Sequence, residues 1–160
     1  MIRALVITVS NRASAGVYAD KSGPLLVDLL RRDAGCQVVE GPLVVPDGEP
    51  VEDALREGVA QGYDVVVTTG GTGLTPMDLT PEMTARVISR EIPGIAEAIR
   101  LANREKVPTS ILSRGLAGQA GNTLIVNLPG SSGGVRDGIA VLAPILQHAV
   151  DQIRGGDHPR

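Results

Sequence analysis

The fold is decided by one stretch of sequence, TTGGTGLTPMDLTPE at residues 68–82. A β-branched, apolar strand, Asp64 to Thr69, runs directly into the three glycines of this stretch. Because glycine tolerates positive φ and has no Cβ, a backbone rich in glycine can lie against a ligand. Asp78 follows, just ahead of a predicted helix start. A glycine-threonine turn that leads into an acidic helix start suits a phosphate group and its metal ion, so the sequence predicts a nucleotide site.

Apolar, β-rich runs alternate with helical patterns on both sides of this turn. Strands are predicted over Ile2–Ser10, Cys36–Asp47 with a bend near Gly41–Pro42, Tyr63–Gly71, Ser110–Arg114 and Asn122–Gly130. Helices are predicted over Pro24–Asp33, Val51–Ala60, Pro81–Arg90 with Thr80 as cap, Pro93 to about Lys106 and Gly134–Ile153. Loops that are polar or rich in glycine are predicted over Asn11–Gly23 and between the last two strands. Pro144 should kink or split the last helix. Alternating strands and helices favour an α/β fold, a three-layer α/β/α sandwich with a mostly parallel sheet.

The length of the chain, 160 residues, predicts one domain over residues 1–155 followed by a flexible tail over 156–160. Hydrophobic residues make up 42% of the chain but aromatics only 1%, so the core must consist of Val, Ile, Leu and Ala. Few aromatics argue against base stacking on single-stranded nucleic acid. The net charge of −3 and the absence of a long basic stripe argue against DNA or RNA as a partner.

The single cysteine, Cys36, excludes an internal disulfide and a cysteine-rich zinc site, and its place in an apolar strand indicates a core residue. The apolar run at residues 2–9 is too short for a signal peptide or a membrane span. We therefore expect a soluble protein, located in the cytoplasm and without a membrane partner.

Two common phosphate-binding motifs do not fit the glycine turn. A P-loop ends in Gly-Lys-Ser/Thr, but Leu74 follows Gly73 and the turn contains no lysine. A dinucleotide fingerprint requires a third glycine where Pro76 stands. The remaining hypothesis is a nucleotide loop whose positive potential comes from backbone N–H groups and a metal ion.

Ligands of such sheets bind beyond the carboxyl ends of the strands. Three predicted loops lie there: Pro46–Asp47, Gly70–Asp78 and Pro129–Gly134. Asp78 and Asp47 could supply the carboxylates that Mg²⁺ prefers to combine with substrate phosphates. Alternatively, Asp78 is a helix-start acid favoured by the helix dipole, and Asp47 is an ordinary turn residue.

The glycine-rich loop Leu128 to Gly134 precedes the last predicted helix and could hold phosphate or ribose, or could be an ordinary strand-to-helix connection. Arg114 could contact a phosphate through two donors, or could be a solvated side chain. The hydroxyls of Thr69 and Thr72 stand among the glycines of the turn.

The ordered series of these motifs resembles the MogA/MoaB family of molybdopterin adenylyltransferases, the same module as the G domain of gephyrin. The resemblance covers nearly the whole chain, through ITVSNRASAGVYADKSGP, VVPD, VVVTTGGTGLTPMDLTPE, EIPG, ILSR and NTLIVNLPGS. It implies a step of molybdenum cofactor biosynthesis: adenylyl transfer from MgATP to molybdopterin, which gives adenylylated molybdopterin and pyrophosphate. The alternative is a non-catalytic molybdopterin-binding or scaffold module of the same fold.

The resemblance also implies roles for particular residues and partners. Asp78 and Asp47 match the functional aspartates, with Mg²⁺ as their metal ion. Together with Thr69 and Arg114 from the residue-level argument, the predicted nucleotide and pterin pocket consists of Thr69, Gly70, Gly71, Thr72, Gly73, Ser113, Arg114, Pro129, Gly130 and Ser131. The implied partners are molybdopterin, ATP and a molybdenum-insertion protein that accepts the product, and the implied assembly is a homotrimer or a hexamer.

Three positions depart from the family pattern. Met77 stands where many relatives carry a basic residue before the aspartate, Asn11 stands where an acid is usual, and Gln119 with Ala120 stands where an arginine is common. Because methionine cannot neutralise phosphate charge, Arg114, Arg12 or Lys21 would have to do so.

Overall fold

The computed structural model describes residues 1–156 and is built on a six-stranded sheet in the order β2-β1-β3-β6-β5-β4. The strands are β1 (Arg3–Val9), β2 (Val38–Val45), β3 (Val65–Thr69), β4 (Arg90–Glu91), β5 (Ala117–Ala120) and β6 (Thr123–Leu128). Four of them, β2, β1, β3 and β6, run parallel, whereas β5 is antiparallel to β6 and β4 is antiparallel to β5. The predicted mostly parallel sheet is confirmed. Of the predicted tail at 156–160, all but Gly156 lies outside the described residues.

Helices cover both faces of the sheet. They are α1 (Asn11–Ser14), α2 (Ser22–Arg32), α3 (Glu49–Ala60), α4 (Thr80–Ala85), α5 (Pro93–Leu101) and α6 (Ser132–Ile153), with a 3-10 helix at Pro108–Leu112. The core on one face joins the sheet to α2, α5 and α6, and the core on the other face joins it to α3 and α4. The predicted three-layer arrangement is therefore confirmed.

The central strands alternate between these two cores because successive side chains of a strand point to opposite faces. Val65 and Val67 pack in the core beneath α2 and α6, while Val66 packs in the core beneath α3. All three are fully buried. Strands buried on both faces explain the continuous apolar runs of the sequence. Cys36 is buried among the same aliphatic side chains, as predicted.

The last helix does not split at Pro144. The helix α6 is continuous over 22 residues, and Pro144 lies on its exposed side. Its opposite side carries Ile139, Leu142 and Leu146, which are buried in the core. Burial of this apolar side keeps the helix continuous. The ring of Pro144 and the carbonyl group that lacks its N–H partner lie on the exposed side, where water solvates the backbone.

Two predictions about strands were wrong or incomplete. Of residues Ser110–Arg114, predicted as a strand, Ser110 to Leu112 instead belong to the 3-10 helix at Pro108–Leu112, and the chain leaves this helix in extended form at Ser113. The segment predicted as a glycine-rich loop contains β5, which pairs with β6. A Cβ on Gly118 would lie 2.6 Å from the carbonyl oxygen of Arg90, so glycine is what lets β4 approach this strand.

Several helix boundaries also differ from prediction, and α5 ends at Leu101 rather than at about Lys106. The helix α4 ends at Ala85 rather than Arg90, because Arg90 pairs with Gln119 in the sheet. The segment predicted to be a loop after β1 begins with the short helix α1, where the hydroxyl of Ser10 accepts a hydrogen bond from the N–H of Ala13 at 3.1 Å. Such a serine cap satisfies one of the free N–H groups of a first turn.

The predicted bend near Gly41–Pro42 is present. The peptide bond between these residues is cis, and the pairing of β1 with β2 shifts register between Leu5 and Ile7 opposite it. Residues 1–156 include no helix with the length and the apolar composition that crossing a bilayer requires.

Candidate functional site

Three loops meet at the carboxyl edge of the parallel strands, as the topology predicted. The N–H of Gly70 donates to the carbonyl of Leu128 at 3.1 Å, and the hydroxyl of Thr69 donates to the carbonyl of Pro129 at 2.7 Å. Gly70 has a φ of 99°, and a Cβ there would lie 2.3 Å from the carbonyl oxygen of Val9. Only glycine fits this crossing, which packs the ends of β1, β3 and β6 against each other.

Gly71 is confined on its other side. Its φ is 71°, and a Cβ would lie 2.1 Å from the hydroxyl oxygen of Thr80 and 2.4 Å from Oδ2 of Asp47. The missing side chain therefore allows the loop after β2 and the start of α4 to close on the turn.

Asp47 links these elements through its carboxylate. Oδ1 accepts hydrogen bonds from the N–H of Gly48 at 2.8 Å and from the hydroxyl of Thr80 at 3.1 Å. Oδ2 accepts a hydrogen bond from the N–H of Leu79 at 3.0 Å. Thr80 was predicted as the helix cap, but Leu79 occupies the cap position and the Thr80 hydroxyl donates to Asp47 instead. Asp47 is thus more than an ordinary turn residue, because it fixes the entry to α4.

Asp78 precedes this helix and is partly exposed. Its Oδ2 accepts hydrogen bonds from Thr75, at 3.1 Å from the backbone N–H and at 2.9 Å from the hydroxyl. Among the contacts that residues 1–156 make, none engages Oδ1 of Asp78. The carboxylate is therefore oriented through one oxygen, and Asp78 borders two of the hollows of the site.

Three neighbouring hollows surround Gly71, which borders all of them. The Lys21 hollow, of about 480 Å³, lies between the ends of β1 and β3 and is lined by Thr8, Ser10, Tyr18, Asp20, Lys21, Ser22 and Gly130. The Ser113 hollow, of about 460 Å³, is lined by Gly70–Gly73, Asp78, Ser113, Pro129–Ser131 and Asp137. The Met77 hollow, of about 370 Å³, is lined by Asn11, Arg12, Asp47, Met77 and Asp78. Each volume is within the range of small-molecule sites, roughly 300–1,000 Å³.

The structure brings nearly all of the predicted site residues to these hollows. Asp47 and Asp78 share the Met77 hollow, and the predicted pocket residues other than Arg114 line the Lys21 or Ser113 hollow. Arg114 lines none of the three. Its guanidinium instead donates at 2.7 Å to Glu82, and this hydrogen bond lowers the pKa of the Glu82 carboxyl.

The cations that border the hollows are few. Lys21 borders the hollow named after it, and Arg12 borders the Met77 hollow, where the Met77 side chain is 62% exposed. The start of α6 adds a further positive potential, because free N–H groups and the helix dipole favour anions there. Ser131 caps this helix by accepting a hydrogen bond from the N–H of Gly134 at 3.0 Å.

Sequence reasoning did not predict two walls of the site. The segment from Tyr18 to Ser22, of which only Lys21 had been named as a possible phosphate cation, lines the Lys21 hollow, and residues around the 3-10 helix, including Val107 and Leu112, line the Ser113 hollow. The first wall had a signal in the sequence, since its segment follows a parallel strand just as the three predicted loops do. The second had none, because Leu112 was assigned to a strand and Val107 to the connection before it.

A buried polar cluster supports the glycine turn from behind. The Asn127 side chain donates to the hydroxyls of Thr68 at 3.0 Å and Thr84 at 3.1 Å, and accepts from the N–H of Leu116 at 3.0 Å. Because each of these groups is satisfied, the cluster rigidly connects β3, α4 and β6. The asparagine of the NLPG motif is thus a structural residue of the site.

Fold and site together define an α/β protein with glycine-rich turns at the carboxyl edge of a parallel sheet, where proteins of this class bind their ligands. A profile of the family described as "Probable molybdopterin binding domain" matches residues 5–148. The chain belongs to this family, the MogA/MoaB family, as the motif series indicated.

Individual relatives are similar over most of the chain. The molybdopterin adenylyltransferase of Helicobacter pylori strain J99 is 37% identical over 158 residues, which cover 94% of this chain and 86% of that protein. The solved structure of the molybdopterin biosynthesis Mog protein from Mycobacterium ulcerans has 52% sequence identity and a TM-score of 0.90, and the match covers 96% of this chain and 99% of that one.

A longer relative shares the same domain. The molybdenum cofactor biosynthesis bifunctional protein of Synechococcus elongatus is 37% identical over 155 residues, which cover 97% of this chain and 48% of that protein. The chain spans about half the length of the curated bifunctional relatives that it matches.

Proposed function

We propose that the chain transfers the adenylyl group of MgATP to molybdopterin in molybdenum cofactor biosynthesis. Membership of the family and the name molybdopterin adenylyltransferase carried by relatives at 36–40% identity support the reaction. The observation that carries the proposal is the meeting of the glycine turn Gly70–Gly73, the Asp78 carboxylate and the start of α6 at one hollow.

The proposed reaction requires little covalent chemistry from the protein. A phosphate oxygen of molybdopterin, already ionised near neutral pH, attacks the α-phosphorus of ATP. The new phosphorus–oxygen bond forms as the bond to pyrophosphate breaks in line. Because two anions must meet, the task of the protein is to position them and to offset their charge. The backbone N–H groups of the turn and of the start of α6 suit this task, since they provide partial positive charge without a lysine.

The residues present fit a magnesium ion shared with the substrate. Within residues 1–156, no three His, Cys, Asp or Glu side chains come together as a ligand set for a metal ion. Mg²⁺ usually combines one or two carboxylates with substrate phosphates. Asp78 borders the Ser113 and Met77 hollows, and its Oδ1 has no hydrogen-bond partner within residues 1–156. We propose that Asp78, with Asp47 beside it, holds this ion. When bound, the ion would offset the charge that develops on the phosphates.

The remaining predicted residues have roles that follow from where they lie. We propose that Thr69 to Gly73 and Pro129 to Ser131 form the floor on which the nucleotide phosphates and the pterin lie. Ser113, Val107 and Leu112 form the wall of the Ser113 hollow, with an apolar part that suits a heteroaromatic ring.

A second candidate function rests on Met77. This side chain stands beside Asp47 and Asp78, and Arg12 is the cation that shares their hollow. With less positive charge at the carboxylates, the same fold could bind molybdopterin without turning over ATP. The chain would then be a pterin-binding or scaffold module.

A direct assay separates the two functions. The protein is incubated with MgATP and molybdopterin, and adenylylated molybdopterin and pyrophosphate are measured over time. Equimolar formation of both products is the expected result. Molybdopterin that binds without any product, in the unmodified chain, would refute the enzyme and support the module.

We also propose the cellular context that the family implies. The chain would act in the cytoplasm as one domain over residues 1–155, assemble as a homotrimer or a hexamer, and pass its product to a molybdenum-insertion protein. Sedimentation equilibrium checks the assembly, for which a monomer would be the contradicting result.

A further inference from the structure

The guanidinium of Arg114 holds the segment that carries Asp78, here called the Asp78 loop (Gly73–Asp78). Its Nε donates to the carbonyl of Gly73 at 2.9 Å, and one terminal nitrogen donates to the carbonyl of Asp78 at 2.8 Å. The other terminal nitrogen donates to the carboxylate of Glu82 at 2.7 Å. One side chain therefore joins the first and the last residue of the loop and ties both to α4.

The Asp78 loop has few other anchors. Leu74 and Met77 are 64% and 62% exposed, so the loop buries little apolar surface. The hydrogen bonds from Thr75 to Asp78 lie within the loop and cannot fix it to the rest of the molecule. At its ends, the N–H of Arg114 donates to the carbonyl of Thr72 at 2.8 Å and the N–H of Leu79 donates to Asp47. The hydrogen bonds of the Arg114 side chain are thus the main connection between the Asp78 loop and the rest of the site.

All three nitrogens of the guanidinium have protein acceptors, and the side chain lines none of the three hollows. The planar fork of arginine makes this arrangement possible, whereas the single ammonium of lysine cannot reach three acceptors in different directions.

We infer that Arg114 is a positioning residue: it closes the Asp78 loop so that Asp78 borders the Ser113 and Met77 hollows, and it does not contact the phosphates itself. The inference rests on the proposed function, since it assigns the carboxylate to MgATP. It distinguishes Arg114 from a phosphate contact and from a surface ion pair, which contributes little.

The test compares Arg114→Lys with a matched control, Arg56→Lys. Arg56 also donates to a carboxylate, that of Glu52, and to a backbone carbonyl, that of Arg86, and it lines none of the three hollows. Hydrogen exchange is measured by mass spectrometry, and binding of ATP is measured by calorimetry with Mg²⁺ and with a chelator.

Positioning predicts three results for Arg114→Lys. Exchange accelerates in peptides that cover the Asp78 loop and not in the central strands. The affinity for MgATP falls about tenfold, as expected for the loss of charged hydrogen bonds. The affinity for metal-free ATP stays the same, because only the carboxylate has been displaced. Arg56→Lys changes none of these quantities.

Other outcomes overturn the inference. Equal losses with and without Mg²⁺ would show a direct phosphate contact, and unchanged exchange and affinity would show a surface ion pair. A failure of the unmodified chain to bind MgATP would refute the proposed function itself, and the inference with it.

Glu82→Gln provides a second variant in case Arg114→Lys does not fold. It removes one partner of the guanidinium and keeps both carbonyl contacts. Positioning predicts a smaller acceleration of exchange in the Asp78 loop and weaker MgATP binding. A phosphate contact predicts the opposite sign, since an arginine released from Glu82 would bind ATP more tightly.

Discussion

The two ends of the parallel sheet are finished in different ways. At the carboxyl edge, glycine turns and short polar contacts leave three open hollows around Gly71. At the amino edge, side chains cover the strand ends: Arg154 contacts Asp64 at 2.9 Å, and Asp64 accepts a hydrogen bond from the N–H of Arg3 at 2.8 Å. The guanidinium of Arg3 lies 4.8 Å from the centre of the Tyr63 ring, which is a cation–π contact.

Both edges present the same problem, since parallel strands end in unpaired backbone groups. At the amino edge, side chains contact these backbone groups and fill the space around the strand ends. At the carboxyl edge, the glycines let main chain pack on main chain, and no side chain occupies the remaining space. The difference predicts that substitutions at the carboxyl edge lower turnover, with or without a loss of stability, whereas substitutions at the amino edge change stability alone.

The largest effect is expected for Asp78→Asn. If the carboxylate holds the metal ion of MgATP, the loss of its charge should lower turnover at least about 100-fold, while thermal unfolding stays unchanged. Product formation and the melting temperature measure the two quantities. Asp53→Asn, at an exposed position of α3, is the control and should behave like the unmodified chain. Full turnover by Asp78→Asn would contradict a metal-binding role of this carboxylate.

The next effect is expected for Gly71→Ala. A Cβ would meet Thr80 and Asp47 at less than 2.5 Å with φ positive, so the loops must move apart at a cost of about 2–3 kcal/mol. Turnover should fall with it. Gly62→Ala is the control: it has a similar φ of 76° but open space around the Cβ, and should cost about 1 kcal/mol without loss of turnover. Urea unfolding measures both, and equal costs would contradict the tight packing described for the turn.

A smaller effect is expected at the amino edge for Arg154→Ala. Its partner Asp64 is only 15% exposed. Loss of the ion pair should therefore lower the free energy of unfolding by about 1 kcal/mol and leave turnover unchanged. In Arg32→Ala, which breaks an exposed pair with Asp28, the change should stay within about 0.5 kcal/mol. If Arg154→Ala reduced turnover as strongly as stability, the division between the two edges would fail.

The smallest effect concerns Cys36, which lies near the amino edge. Burial, with a contribution from the charge of Asp64, raises the pKa of its thiol from 9.0 to about 11. The Cys36 thiol ionises at a lower pH in the unfolded chain than in the folded chain. The contribution of the neutral thiol to the free energy of unfolding is therefore complete below the unfolded pKa and is lost as the pH rises toward the folded pKa. Between pH 8 and 9 the loss should be about 0.4 kcal/mol. Urea unfolding of Cys36→Ala should lack this component, and an identical pH slope in both proteins would contradict it.

The sequence predicted those parts of the fold that local pattern controls. Buried strands such as β3 and β6 are long apolar runs, and their order with the helices determines a parallel sheet. The antiparallel strand β5 escaped prediction because its residues are small and glycine-rich, and pairing with β6 rather than propensity makes it a strand. The continuity of α6 through Pro144 likewise depends on packing that no local rule contains.

The site was predicted to the extent that topology alone brings loops together. The loops after β2, β3 and β6 followed from the rule for parallel sheets, and the same rule applied to β1 would have found Tyr18 and given a place to Lys21, which was named only as a possible phosphate cation. The geometry of Arg114 could not be predicted, because the acceptors of its side chain lie 32 to 41 positions away in the sequence. A charged residue in a site motif can equally contact ligand or backbone.

The scarcity of aromatic residues gives the protein a built-in optical probe. Its only two aromatic side chains are Tyr18, which borders the Lys21 hollow, and Tyr63, which is buried beside Arg3. Without tryptophan, ultraviolet emission comes from these two rings alone. Quenching of the emission on addition of a ligand therefore originates from Tyr18, whereas a change in the emission of Tyr63 follows denaturation. One spectrum thus monitors ligand binding at the carboxyl edge of the sheet and unfolding at the amino edge.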